Sequence, residues 1–288
     1  MDTQTIQLIV NGIAVGSIIA LAAVGLTLTY GILRLSNFAH GDFLTLGAYL
    51  TLLVNSFGVN IWLSMIVAVV GTVGAMLLSE TLLWSRMRSI KANSTTLIII
   101  SIGLALFLRN GIILIWGGRN QNYNLPITPA LDISGVKVPQ NQLLVLALAV
   151  LSIGALHYLL QNTKIGKAMR AVADDLDLAK VSGIDVEKVI FWTWLIAGTV
   201  TSLGGSMYGL ITAVRPNMGW FLILPLFASV ILGGIGNPYG AIAAAFIIGI
   251  AQEVSTPLLG SQYKQGVALL IMILVLLIRP KGLFKGTM

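Results

Sequence analysis

Cysteine is absent from the 288-residue chain, which excludes disulfides, thiolate chemistry and Cys-based metal sites. Charge is nearly as scarce, at 9% of residues against roughly 25% in a soluble domain. A chain so poor in charge cannot cover a water-facing surface of its own size, so most of its solvent is lipid. There are only two histidines, His40 and His157. They lie far apart, with no acidic residue at ligand spacing, which argues against a zinc site. Neither G-x-S-x-G nor H-E-x-x-H occurs. The nearest approach to a phosphate-binding loop, Gly166-Lys167-Ala168, lacks the upstream glycine and the following Ser or Thr. Gly234 to Tyr239 lacks the third glycine of a dinucleotide turn. The sequence therefore predicts no catalytic residues, no cofactor and no metal. Any energised work would draw on a partner.

What is abundant is apolar: 57% of residues, with a mean hydropathy of +0.93. One hydrocarbon crossing takes about 20 mostly apolar residues. Apolar runs fall at 6–30, 41–57, 61–85, 95–116, 142–160, 189–214, 220–235, 238–259 and 265–279. Open strands cannot satisfy their backbone in lipid, so all nine are expected to be helices. The expected fold is all-α, a polytopic transmembrane bundle of eight to ten spans forming one membrane domain over 1–288. The short connections at 31–40 and 236–240, with Pro225 in a marginal run, point to broken or re-entrant segments. No basic leader precedes the first run, which is expected to be a retained span.

The net charge of +7 reads as topology, not as a nucleic-acid footprint. If each run crosses once, twelve of the seventeen basic residues fall on one side. These are Arg34, then Arg86, Arg88 and Lys91, then Lys164, Lys167, Arg170, Lys180 and Lys188, then Arg279, Lys281 and Lys285. The other side receives Arg119, Lys137, Arg215 and Lys264, while Arg109 sits inside a run. The positive-inside rule then puts the N-terminus outside and the C-terminus in the cytoplasm of a multi-pass plasma (inner) membrane protein. Small residues recur every four positions, as in Gly12 and Gly16, Gly198 with Ser202 and Ser206, Gly205 and Gly209, and Ala241 with Ala245 and Gly249. Such spacing lets helix backbones approach closely in lipid.

Three polar stretches interrupt the apolar pattern. The longest, Gln161 to Lys188, carries five basic and five acidic residues, Asp174, Asp175, Asp177, Asp185 and Glu187 among them. Within it Ile165, Met169, Val172, Leu176 and Ala179 share one helical face. A helix lying on headgroups carries a strongly basic polar face; this mixed one suits docking into a protein groove better. The second stretch is Leu35 to Asp42 and the third Leu232 to Gly240. Each sets glycine and hydrogen-bonding side chains beside apolar helix ends, where polar groups tend to face a bundle interior or a pathway. Either could equally be a helix-connecting turn. Gly41 reads as a flexible backbone position.

At these three places the chain resembles the permease subunits of branched-chain amino acid ABC importers. The likeness is carried by Asn37-Phe38-Ala39-His40-Gly41, by Gly166, Arg170-Ala171 and Ala173-Asp174-Asp175 followed by Ala179 and Gly183-Ile184, by Leu232 to Ala241, and by the ending Arg279-Pro280-Lys281-Gly282. The resemblance implies a permease, not an enzyme, working in the lipid bilayer with a sister permease subunit, two ATP-binding subunits and an extracytoplasmic solute-binding protein, for an amino-acid substrate. It implies an ATPase-coupling segment comprising Ile165, Gly166, Lys167, Met169, Arg170, Ala171, Ala173, Asp174, Asp175, Leu176, Ala179, Gly183 and Ile184. It also implies a translocation path bordered by Asn37, Phe38, His40, Gly41, Gly233, Gly234, Gly236 and Asn237. Urea and short-amide permeases share much of this pattern. An ion-coupled secondary transporter is the reading from another class, with Asp42, Glu80, Glu253 and His157 as its candidate coupling groups.

Overall fold

The computed structural model describes residues 3–125, 129–133, 135–279 and 282–284. Pro280, Lys281 and Lys285 of the basic ending lie outside the described residues. The chain is an all-α membrane bundle: α1 (Thr3–Leu33), α2 (His40–Ser56), α3 (Ile61–Ser79), a π-helical turn (Glu80–Trp84), α4 (Ser85–Ser89), α5 (Ser94–Trp116), α6 (Gln140–Asn162), α7 (Lys164–Asp174), α8 (Leu176–Val181), α9 (Val186–Ile211), α10 (Met218–Gly233), α11 (Pro238–Val254), α12 (Thr256–Leu259) and α13 (Lys264–Ile278). A small hairpin, β1 (Leu131–Ile133) with antiparallel β2 (Val136–Val138), sits between α5 and α6. Gln7 of α1 holds it through both main-chain groups of Lys137, at 2.9 and 3.0 Å.

All nine apolar runs are helical. Polar caps mark many starts, since the first N–H groups of a helix need an acceptor. Asn60, Asn93, Thr163, Asp175, Asp185 and Asn237 each accept a backbone N–H in the first turn of the helix that follows. Among the described residues, six helical segments are long and apolar enough to cross a membrane. Of these, the apolar windows of α1 and α9 are 67% and 72% buried within the chain, whereas that of the segment Ser261–Ile278, which ends in α13, is 11% buried. α1 and α9 are thus the central pillars, and α3, α5, α6 and α13 offer apolar faces outward. The small residues lie where the pillars meet their neighbours: Gly12 and Gly16 of α1 press against the backbone around Gly249 and Ala245 of α11.

Some of the apolar helices fall short of a full crossing. α2, α10 and α11 have 17, 16 and 17 residues, roughly 24–26 Å at 1.5 Å per residue against a core of about 30 Å. Two of them start inside the bundle. After α1 the chain reverses at Arg34, whose φ of 54° is left-handed, and Arg34–Ala39 runs back along α1. His40 then meets Ala22, roughly 16 Å of helix before the end of α1. Six extended residues span about 20 Å, enough for that return. A second return, over 212–217, follows α9 and brings Gly219 against Gly41 and Thr45. The expectation of re-entrant chain at 31–40 thus matches the fold, but the second segment is 212–217, not 236–240, which is a tight turn. Pro225 does not break α10, which continues from Met218 to Gly233.

Candidate functional site

The first polar cluster forms where the two returns meet. The N-termini of α2 and α10 touch, with Gly219 N donating to Thr45 Oγ1 at 3.0 Å. A Cβ on Gly41 would lie 2.3 Å from the Gly219 carbonyl oxygen, and one on Gly219 would lie 1.8 Å from that of Gly41. Glycine at both positions lets two backbones make contact with nothing between them. Gly41 is not among the residues with positive φ. Its role is close approach, and the flexible-backbone expectation is corrected on that ground.

The returning strand has no sheet partner, so side chains satisfy its backbone. Asn37 Oδ1 accepts from Ala39 N at 3.1 Å, and Phe38 N donates to Ser101 Oγ of α5 at 3.1 Å. The His40 ring N–H at Nε2 donates to the Ala22 carbonyl at 2.9 Å and lies 3.0 Å from Thr201 Oγ1. One imidazole thereby ties α2 to both pillars. Asn37 and His40 are wholly buried, and Asn37 Nδ2 and His40 Nδ1 have no hydrogen-bond partner. Phe38 is half-buried against Phe227 of α10, with ring centroids 4.7 Å apart.

Sequence reasoning did not foresee the charge pair at this junction. Asp42, in the first turn of α2, takes a bidentate clasp from Arg109 of α5, with Nε to Oδ1 and Nη2 to Oδ2 both at 3.0 Å. The guanidinium also stacks on Trp220 at the start of α10, 4.6 Å from its ring centroid. Two helix N-termini converge here, each carrying partial positive charge, and the Asp42 carboxylate sits in the first turn of one of them, where it opposes that charge. The only available signal was a lone arginine inside an apolar run, facing an acid at the start of another. Hydroxyl pairs continue the polar seam outward, Thr72 to Ser202 at 3.1 Å and Thr51 to Ser206 at 2.7 Å.

A second cluster lies at the π turn. Glu80 accepts from Trp194 Nε1 of α9 at 2.7 Å and is ion-paired to Arg88. Together with Lys264–Glu253 at 2.6 Å, Asp42–Arg109, and His157 bonded to Tyr239, this gives every candidate ion-coupling group a committed partner. Among the described residues no group of three or more His, Cys, Asp or Glu could hold a metal.

The third cluster joins the coupling stretch to the α10–α11 turn. The expected single amphipathic helix is split in two. α7 ends at Asp174, and Asp175 turns the chain and caps α8 through Leu178 N at 2.9 Å. Gly166, Met169, Val172 and Ala179 are buried against the bundle. Gly166 is required by proximity, since a Cβ there would lie 2.3 Å from the Leu160 carbonyl oxygen. Ile165, Ala171, Ala173 and Ile184 are half-buried, while Lys167, Arg170, Asp174, Asp175, Leu176 and Gly183 are exposed. Leu178 at 63% and Val181 at 81% exposure give α8 an apolar face that the helical-face reading missed, because the break after Asp174 rotates the stripe. Arg170 folds back, its Nη1 donating to the Leu160 carbonyl and Gln161 Oε1, both at 2.8 Å. It thus places a cation on the carbonyl end of α6.

The turn itself uses Gly234 and Gly236, with φ of 93° and 86°, conformations that favour glycine. Gly233 and Gly240 press backbone on backbone, a Cβ on Gly233 meeting Gly240 at 2.3 Å. Gly236 N donates to Thr27 Oγ1 of α1 at 3.0 Å, and Asn237 caps α11. Tyr239 OH lies 2.9 Å from His157 Nδ1 and accepts from Gln161 Nε2 at 3.1 Å. The turn, the end of α6 and α7 are therefore one hydrogen-bonded group.

Residues 8–276 match the family described as branched-chain amino acid transport system / permease component. The high-affinity branched-chain amino acid transport system permease protein LivH of Salmonella typhimurium is 30% identical over 293 residues, covering 96% of this chain and 94% of that protein. The corresponding BraD of Pseudomonas aeruginosa is 29% identical over 298 residues, covering 96% and 95%. A probable branched-chain amino acid transport permease protein LivH of Methanocaldococcus jannaschii is 31% identical over 300 residues, covering 96% and 92%. Among solved structures, PsaBC from Streptococcus pneumoniae in complex with Fab gives a TM-score of 0.52 at 14% identity, covering 94% of this chain and 91% of that one, a likeness of fold.

Proposed function

The chain belongs to the family of branched-chain amino acid transport permease components, and we propose on that footing a division of labour for its parts. It is a multi-pass permease subunit of an ATP-driven importer for branched-chain amino acids, and hydrolysis is carried out by partner ATPase subunits. The match along almost the whole chain to LivH and BraD carries this reading. The chain acts as one membrane domain and pairs with a sister permease to enclose the path. An extracytoplasmic binding protein delivers the amino acid, and the N-terminus faces that side. Support for the orientation is the side bias of the basic residues.

The segment from Lys164 to Ile184 docks into an ATPase subunit. Its inward residues, Gly166, Met169 and Ala179, seat it on the bundle. Leu176, Leu178 and Val181 supply apolar contact, and Lys167 and Asp175 a mixed polar rim. The buried segment Asn37 to Gly41 borders the path as its packed wall, setting the α2–α10 crossing, while Gly233, Gly234, Gly236 and Asn237 form the inner border. Reconstitution with the partner subunits and competition of leucine uptake by valine, isoleucine, proline and urea tests the substrate class. Valine and isoleucine should compete strongly. Competition by urea alone would move the substrate to the short amides. Uptake per assembled complex should fall in His40→Ala and Asn37→Ala; an unchanged rate would leave that segment outside the path.

A further inference from the structure

The inner side of the bundle holds a cavity of about 530 Å³ between the last turns of α1, the end of α6, α7 and the α10–α11 turn. That is within the roughly 300–1,000 Å³ range of small-molecule sites. Its lining has three distinct parts. Leu28 and Ile32 of α1, Leu160 of α6 and Met169 of α7 form an apolar floor. Arg170 and Asp174 stand on the wall, one helical turn apart on α7, and Gln161 and Tyr239 add hydrogen-bonding groups to the rim.

The arrangement of the two charges is informative. Residues at i and i+4 on a helix are neighbours, and an acid and a base at that spacing are close enough to pair. Arg170 and Asp174 do not: the ion pairs among the described residues are Arg88–Glu80, Arg109–Asp42 and Lys264–Glu253. Arg170 is instead drawn toward α6, its Nη1 held by Leu160 and Gln161. That leaves Nε and Nη2 of the guanidinium for another acceptor. The cavity therefore presents a separated cation and anion beside an apolar floor. A zwitterion with an aliphatic side chain satisfies all three features at once, its carboxylate to Arg170, its ammonium to Asp174 and its side chain over Leu28 and Ile32. A purely anionic ligand would leave Asp174 against like charge, and an amine would leave Arg170 so.

We propose that this cavity is a second amino-acid site, filled from the cytoplasmic side, through which accumulated branched-chain amino acid slows the importer. This rests on the permease reading of the previous subsection and deepens it. The consequence follows from what the ligand would bridge. α7 belongs to the coupling segment, α1 is a pillar, and the α10–α11 turn is tied to α1 through Gly236 and Thr27. A ligand touching all three favours the conformation in which they are already together. It can slow the cycle only in so far as it binds that conformation better than the others.

The test uses the full permease–ATPase complex without its binding protein, titrated with radiolabelled leucine. Saturable binding is expected, together with a several-fold fall in ATPase rate relative to the same preparation without leucine. Isopentylamine, which lacks the carboxylate, and 4-methylpentanoate, which lacks the ammonium, should compete poorly. Asp174→Asn should weaken binding about tenfold or more, as loss of a charge-assisted hydrogen bond implies. Gly31→Leu fills the cavity from α1, where the nearest neighbour of an added Cβ is Gly236 Cα at 3.6 Å, and should abolish it. Each variant is read against its own leucine-free rate, so altered basal activity does not obscure the result. Absence of saturable binding, binding unchanged in both variants, or equal competition by either analogue would overturn the site. A complex that imports leucine with its binding protein yet fails these tests contradicts this inference alone. A complex that imports no amino acid contradicts the permease reading itself.

Discussion

At Gly41 and Gly219 two helix starts touch through bare backbone, so any side chain must move one of them. Gly219→Ala places a methyl 1.8 Å from the Gly41 carbonyl oxygen and 2.3 Å from its carbon, backbone atoms that cannot swing aside. The yield of folded subunit, read by size-exclusion chromatography, should fall several-fold. Gly74→Ala, where an added Cβ meets nothing within 4 Å, should leave it unchanged. Equal yields would remove the close-packing account. The neighbouring Asp42–Arg109 pair makes a second case. Asp42 is almost fully buried, and removing one partner of a buried pair costs about 3–5 kcal/mol. Asp42→Asn should markedly lower the melting temperature in detergent, and Asp42→Asn combined with Arg109→Gln should recover much of the loss. Additive losses would show that the pair is not the unit. Asn37, His40 and Gly41 were legible as an unusual polar break within apolar sequence. The Arg109–Asp42 clasp was not, because periodicity is local and the two residues are 67 apart in the chain.

Helices were read well at the scale of elements, since each apolar run long enough to matter is helical. The short polar connection at 31–40 gave away the first re-entrant segment, but the second, at 212–217, could not be read. The return at 212–217 is fixed by packing that brings Gly219 against Gly41 and Thr45, and hydropathy carries no information about that. The coupling stretch shows the same limit. Its apolar face was visible, but the break after Asp174 was not, because Asp175 acts as a cap that interrupts the period. The break separates two roles. Met169 is 1% exposed and belongs to the bundle, while Leu178 and Val181 project from it. Met169→Asp should therefore reduce folded yield. Leu178→Asp and Val181→Asp should preserve yield and melting behaviour while releasing the ATPase subunits in pull-down. Full retention of the ATPases by both α8 variants would place docking elsewhere.

Over the whole molecule, two buried pillars carry a seam of polar contacts, the outer helices turn apolar faces outward, and α7 and α8 lie together at one end of the bundle. The absence of native cysteine makes the orientation directly accessible. Single cysteines at exposed Ser89 and Asp175 should react with an impermeant maleimide only after permeabilisation, and one at exposed Asn122 in intact cells. Labelling of position 175 from outside would invert the bundle and remove α7 and α8 from the ATPases. The fold class, the helical runs and the family were all legible in the chain, because lipid imposes so few solutions on backbone polarity. The energy source is the central claim, and candidate ion-coupling groups already committed to partners are the structural argument against a gradient-driven transporter. Leucine uptake into proteoliposomes containing the complete importer and its binding protein, measured with ATP on the cytoplasmic face and the ion gradients collapsed by ionophores, tests it most directly. Uptake should continue with ATP alone and stop with a non-hydrolysable analogue; uptake that persists without ATP and disappears with the gradients would contradict the account.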